Sequence, residues 1–151
     1  MRLRSRVAVL LAVNDDPARA LFNDVDHLYR LRSKLVHGGQ ISEKELRKII
    51  GRISTVPTEA IENRFGVALG YAVDRMRDLV RRAILARLCL AAEPNPLWPF
   101  EGDTPVDATL NDDEERAAWR ARWHDRLTAV GVDYATGPPR SAVDFLSGED
   151  R

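Results

Sequence analysis

The stretch LYRLRSKLVHGG, Leu28 to Gly39, decides the fold. Around it apolar residues recur at three- and four-residue steps, through Leu21, Phe22, Val25, Leu28, Tyr29, Leu35 and Val36. That is the period of an amphipathic helix, not of a strand. Arg32 falls on the same stripe, between Leu28 and Leu35. A guanidinium cannot be neutralised and is costly to bury unpaired, so Arg32 is expected to face an internal partner, a subunit interface or a ligand anion. His37 is the nearby side chain that can both give and take a proton near neutral pH. It stands directly before Gly38-Gly39, where the helix should stop, because glycine takes a left-handed C-cap conformation without steric cost. Arginine with histidine, and no metal-ligand cluster beside them, suits chemistry on a phosphodiester.

Working outward, the same helical period covers almost the whole chain. Residues 2–13 read as a short helix, or as the end of one that begins upstream. Asp15 or Asp16 caps the next, with Pro17 in its first turn, and this helix runs to about His37. Ser42-Glu43-Lys44-Glu45 is a capping box that opens a third helix carrying Leu46, Ile49, Ile50 and Ile53. Pro57 and Thr58 open the longest helix, to about Ala92. Its apolar side is read as Ile61, Phe65, Leu69, Ala72, Met76, Leu79, Val80, Ala83 and Leu88. Four helical segments with short links predict an all-α, antiparallel helical bundle over residues 1–92. A Pro-rich loop or linker follows over 93–110. Asn111 or Asp112 then caps an acidic helix over 111–131, expected to dock on the bundle as a C-terminal helical appendage through Trp119, Trp123 and Leu127. Residues 132–151 read as a loosely ordered tail.

The 151 residues are enough for one domain with a real core, and 44% apolar with 30% charged residues is a globular composition. Zero net charge hides an asymmetry. Residues 1–92 carry 17 Lys/Arg against 10 Asp/Glu, and residues 93–151 carry 6 against 13. The basic part can attract a polyanion, and the acidic part can compete for the same surface or simply attract the basic part. The single cysteine, Cys89, lies in an apolar helical run and reads as a small core residue of a reducing, cytoplasmic setting. The run Val7–Val13 is too short to span a bilayer, and Asn14-Asp15-Asp16-Pro17 after it lacks a small-residue cleavage site, so no membrane association or secretion is expected.

No Gly-rich phosphate loop, cysteine pair or histidine pair at metal-ligand spacing is present, so neither a metal nor a cofactor is expected. His27 and His124 stand apart from His37. Asp24 and Asp26 read as helix-surface residues, with orientation of His37 as the alternative, and Lys34 as a solvated cation or a phosphate contact. The residues alone also allow a purely structural account, in which His37 caps the helix C-terminus and Arg32 bridges two helices.

The same stretch resembles the signature of the HEPN superfamily, in particular its Apea-like branch. That signature is an arginine, a spacer of four to six residues, then a histidine. Arg32, Ser33-Lys34-Leu35-Val36 and His37 match it, with the Tyr-x-x-Arg-Ser context from Tyr29 and the following Gly-Gly. The likeness covers roughly residues 6–92. It implies a HEPN-like helical bundle that forms a homodimer and brings two motifs together. It further implies a metal-independent endoribonuclease of anti-phage defence or toxin–antitoxin growth control, with RNA as substrate and a neutralising protein as a further partner. Other members of the superfamily have lost activity and bind a nucleotide or a partner protein. Ser33 departs from the larger polar residue that often follows the arginine in active members. The chain also begins almost inside its first helix, as expected of a fragment or of a minimal module completed by another chain.

On this reading Arg32 and His37 are catalytic, with Tyr29, Ser33 and Lys34 binding substrate or supporting the pair. Metal-free cleavage uses the substrate 2′-hydroxyl as nucleophile. His37 serves proton transfer, and the fork of Arg32 donors stabilises the phosphorane oxygens. Five helical residues turn through about 500°, which leaves the two side chains about 140° apart. They converge only if the helix ends near Val36 or if each works with its twin across a dimer. A third possibility is a plain helical interaction protein that works through the Trp119/Trp123 helix.

Overall fold

The computed structural model describes residues 2–13, 15–37, 41–97 and 106–132. The Gly38-Gly39 stop, most of the Pro-rich stretch and the tail beyond Val132 lie outside the described residues. Among the described residues there are seven helices and no strand. They are α1 (Arg2–Leu11), α2 (Ala18–Val36), α3 (Glu43–Ile50), α4 (Thr58–Asn63), α5 (Phe65–Ala91), α6 (Val106–Asn111) and α7 (Asp113–Ala129). The chain is thus mostly helical. None of the described helices is long and apolar enough to cross a membrane.

The chain divides into two compact units. One holds Phe22–Asp78: most of α2, then α3, α4 and the first half of α5. Its core is Ile50, Ile53, Val56, Ala60, Ala68 and Ala72, with Leu28, Leu31, Leu46, Ile61 and Phe65 packed against it. The capping box forms as expected: Ser42 is the N-cap of α3, and its hydroxyl accepts from the Glu45 N–H at 3.3 Å. The longest helix, by contrast, is interrupted. Arg64 takes φ −141° and ψ 66°, ending α4 and making α5 a separate helix. Arg47 joins α3 to α4. It donates to the Glu43 carboxylate at 2.7 Å in an ion pair, donates to the Ile61 carbonyl and lies 4.3 Å over the Phe65 ring.

Two expectations for this unit are corrected. Arg32 is not on a buried face: it is exposed, as are Leu35 and Val36. The inward face of α2 instead runs through Leu21, Asp24, Leu28 and Leu31, about one residue out of phase with the expected stripe. Asp24, expected on the surface, is fully buried. Its carboxylate accepts from the Ser54 N–H at 2.8 Å, the Ser54 hydroxyl at 2.6 Å and Arg75 Nε at 2.8 Å. The guanidinium buried in this unit is therefore Arg75, which also lies 3.7 Å from Asp78. A buried cation needs such partners, since desolvating it alone is far more costly than the pairing returns.

The other unit holds the described residues up to Leu21 and from Leu79 onward. In it α1, α6 and α7 pack on one another. Trp119, Trp123 and Leu127 are buried together, as their shared helical face predicts. Asp112 caps α7 by accepting from the Glu114 and Glu115 N–H groups at 3.0 and 2.9 Å. Between α1 and α2, Val13 and Asp16 exchange backbone hydrogen bonds of 3.2 and 3.1 Å. Asp16 binds the buried Arg82 at 2.6 Å, and Arg82 also donates to the Leu11 carbonyl. The inward positions of α5 are Ala68, Ala72, Arg75, Leu79, Arg82, Ala86 and Leu90, whereas Met76, Val80 and Leu88, expected inside, are exposed. Cys89 is half-buried, and that burial raises its thiol pKa.

His124 sits beside Trp123, ring centroids 4.0 Å apart. Burial first, and then the cations Arg120 and Arg82, hold its imidazole well below the usual value of 6.5, at about 4. A histidine kept neutral in the fold but free to protonate once unfolded stabilises the native state above about pH 6.5. That contribution is lost as pH falls from about 6.5 towards 4. Urea midpoints should therefore fall between pH 7 and pH 5, and the fall should be smaller in His124→Gln. An equal fall in the variant would assign the pH dependence to other groups.

Candidate functional site

The residues picked out by sequence all lie in the last two turns of α2 or just beyond. α2 ends at Val36, and the His37 N–H still donates to the Ser33 carbonyl at 3.1 Å. The α-helical register therefore continues to His37, and its separation from Arg32 stays at about 140° around the axis. Arg32 and His37 are both exposed.

Two different surfaces of α2 meet these residues. Tyr29, Arg32 and Val36 follow one another at helical steps of three and four. Tyr29, Leu35 and Val36 are 56%, 58% and 61% exposed, so Arg32 is ringed by apolar side chains that face solvent. His27, Arg30, Lys34 and His37 fall in a different sector, about 80° wide and nearly opposite Arg32.

On that second side a groove of about 370 Å³ runs between α2 and α3. From α2 it is lined by His27, Tyr29, Arg30, Ser33 and Lys34, and from the α3 side by Glu45, Lys48, Ile49 and Arg52. The structure thus brings Tyr29, Ser33 and Lys34 together in one groove. Arg32 and His37 are not among its lining residues.

Four cations share the groove with one carboxylate. Lys34 pairs with Glu45, and Arg30 pairs with Asp26 at 2.9 Å. Both are solvent-screened contacts of the kind worth about 0–1 kcal/mol, which an incoming anion can displace. Lys48 and Arg52 have no ion-pair partner among the described residues and are exposed. His27 is half-buried; burial first, and then Arg52 and Arg30, lower its pKa, partly opposed by Asp26.

Sequence reasoning missed His27, Arg30, Lys48 and Arg52. The signal present was the spacing of His27, Arg30 and Lys34, three and then four residues apart on one helical face. The α3 contribution needed the tertiary fold. Among the described residues no group of three or more His, Cys, Asp or Glu side chains could hold a metal ion. No protein-family model, curated protein or solved structure matches the chain.

Proposed function

We propose that this chain is a metal-independent endoribonuclease of the HEPN type, acting as a cytoplasmic homodimer in anti-phage defence or growth control. The observation that carries the reading is the cationic groove on the His37 side of α2, next to a motif whose two members are both open to solvent. The apolar surface around Arg32 supports the dimer. It is a place where a second copy can cover Leu35 and Val36 and bring its own His37 towards this Arg32.

In the proposed reaction His37 accepts the proton of the substrate 2′-hydroxyl. The 2′-oxygen forms a bond to phosphorus, the bond from phosphorus to the 5′-oxygen breaks, and that oxygen leaves with a proton returned by an imidazolium. Arg32 of the other copy donates to the equatorial oxygens as charge builds on them. The products are a 2′,3′-cyclic phosphate and a free 5′-hydroxyl.

The test is incubation of the purified protein with varied RNAs in excess EDTA, followed by analysis of the new ends. Cleavage with cyclic-phosphate termini is expected. A folded dimer that leaves every RNA intact overturns the reading. The groove is also large enough for a small ligand, so nucleotide binding without cleavage would identify a catalytically silent HEPN module instead.

A further inference from the structure

The groove has more cations than its own carboxylate can neutralise, and its wall adds something a bare phosphate site does not need. Tyr29 contributes a side chain that is more than half exposed, and Ile49 adds an apolar lining residue from α3. Cations along a groove with an open aromatic ring are the two elements by which proteins hold single-stranded nucleic acid. The cations follow the backbone, and the ring stacks on whichever base reaches it.

The cations are also placed along the groove and not gathered at one point. Arg30 and Lys34 stand one helical turn apart on α2, whereas Lys48 stands on α3 and Arg52 in the turn that follows. One pair thus lines each wall of the groove. A strand engages both.

We propose that the α2–α3 groove is a binding track for single-stranded RNA, in which Arg30, Lys34, Lys48 and Arg52 take backbone phosphates and Tyr29 stacks on a base. The proposal extends the ribonuclease reading by naming the surface that presents substrate to His37. Because His37 lies on the groove side by helical register, a strand in the groove runs towards it. His27, in the groove wall, supplies an imidazole that can hydrogen-bond the sugar or a phosphate.

The test uses a short fluorescein-labelled 2′-O-methyl RNA, whose blocked nucleophile cannot be cleaved, so binding is read apart from catalysis. Anisotropy titrations over a range of salt compare the wild type with Lys48→Ala/Arg52→Ala and Tyr29→Ala. The double variant should bind at least tenfold more weakly. Its slope of log affinity against log salt should be shallower by about 1.4, at about 0.7 for each lost single-strand phosphate contact. Tyr29→Ala should weaken binding with the slope unchanged. Both substituted cations are exposed, so the fold is retained, which circular dichroism checks.

Unchanged affinity and slope in the double variant overturn the proposal. So does binding to anionic phosphatidylserine vesicles with none to the RNA, or equal competition by a free mononucleotide at the same concentration. Binding that follows the groove residues without any RNA cleavage leaves the track standing and removes the ribonuclease. Cleavage that ignores the groove residues does the reverse.

Discussion

His37→Ala is expected to slow RNA cleavage by about 100- to 10,000-fold, the range that a positioned general acid or base contributes, with no measurable loss of stability. The two halves of that expectation come from different observations. The catalytic loss follows from the proposed role of the imidazole. The unchanged stability follows from its position: His37 is exposed at the end of α2, and surface substitutions away from special features stay within about 0.5 kcal/mol. Arg32→Ala should behave the same way, losing about 100- to 1,000-fold, as when one donor to a developing oxyanion is removed.

Mixing the two inactive variants then separates the possible geometries. If each site takes Arg32 from one copy and His37 from the other, a mixed dimer holds one intact site and activity returns. If both come from the same chain, the mixture stays inactive. Returned activity would agree with the about 140° between the two side chains on one helix. A stable, inactive mixture would require the helix end to rearrange around substrate.

Asp24→Ala is expected to cost about 3–5 kcal/mol of folding stability, the penalty for stranding a buried charge. The Arg75 side chain is 5% exposed and Asp24 is 1% exposed, so water cannot replace the lost carboxylate. Asp78, 3.7 Å from Arg75, is a more distant acceptor, and the Ser54 N–H and hydroxyl lose their acceptor in the same substitution. Against a typical total stability of about 5–15 kcal/mol, that loss is visible as a large drop in the urea midpoint. The double variant Asp24→Leu/Arg75→Leu should recover most of it, because replacing both members of a buried pair by apolar residues is often neutral or stabilising. A loss below about 1 kcal/mol in Asp24→Ala would show that the carboxylate is not the partner that makes Arg75 tolerable.

The helices of this chain were legible in its sequence where local chemistry defines them. The Ser42 box starts α3, Asp112 starts α7, and Trp119, Trp123 and Leu127 mark the buried side of α7. The orientation of α2 and α5 was not. Periodicity weighs side chains by apolar character, but the inward face of α5 mixes Ala68, Ala72 and Ala86 with Leu79, Leu90 and two arginines, while Met76, Val80 and Leu88 face out. On α2 the inward position is an aspartate whose partners lie 30 and 51 residues away, a distance no local pattern reports. Arg32 was singled out as the guanidinium in need of a partner, and the chain does bury such groups, at Arg75 and Arg82. The motif residues themselves were legible as a cluster, since Tyr29, Ser33 and Lys34 do share a groove. Its far wall comes from α3, so Lys48 and Arg52 become neighbours only through the fold.

The cations of α7 carry a consequence for how this part of the chain looks to an approaching molecule. By formal count the helix is balanced, with Asp113, Glu114, Glu115 and Asp125 against Arg116, Arg120, Arg122 and Arg126. All four acids are exposed, and all four arginines are half-buried. Three of the arginines are turned onto main-chain oxygens: Arg116 onto Leu110, Arg120 onto Val9, and Arg122 onto Pro94 and Asn95. Arg126 reaches the Pro94 oxygen as well. The positive charge is drawn inward as mortar for the backbone, and the outward field of α7 is that of an acidic helix. The surface that α7 offers at close approach is therefore more acidic than its balanced sequence suggests.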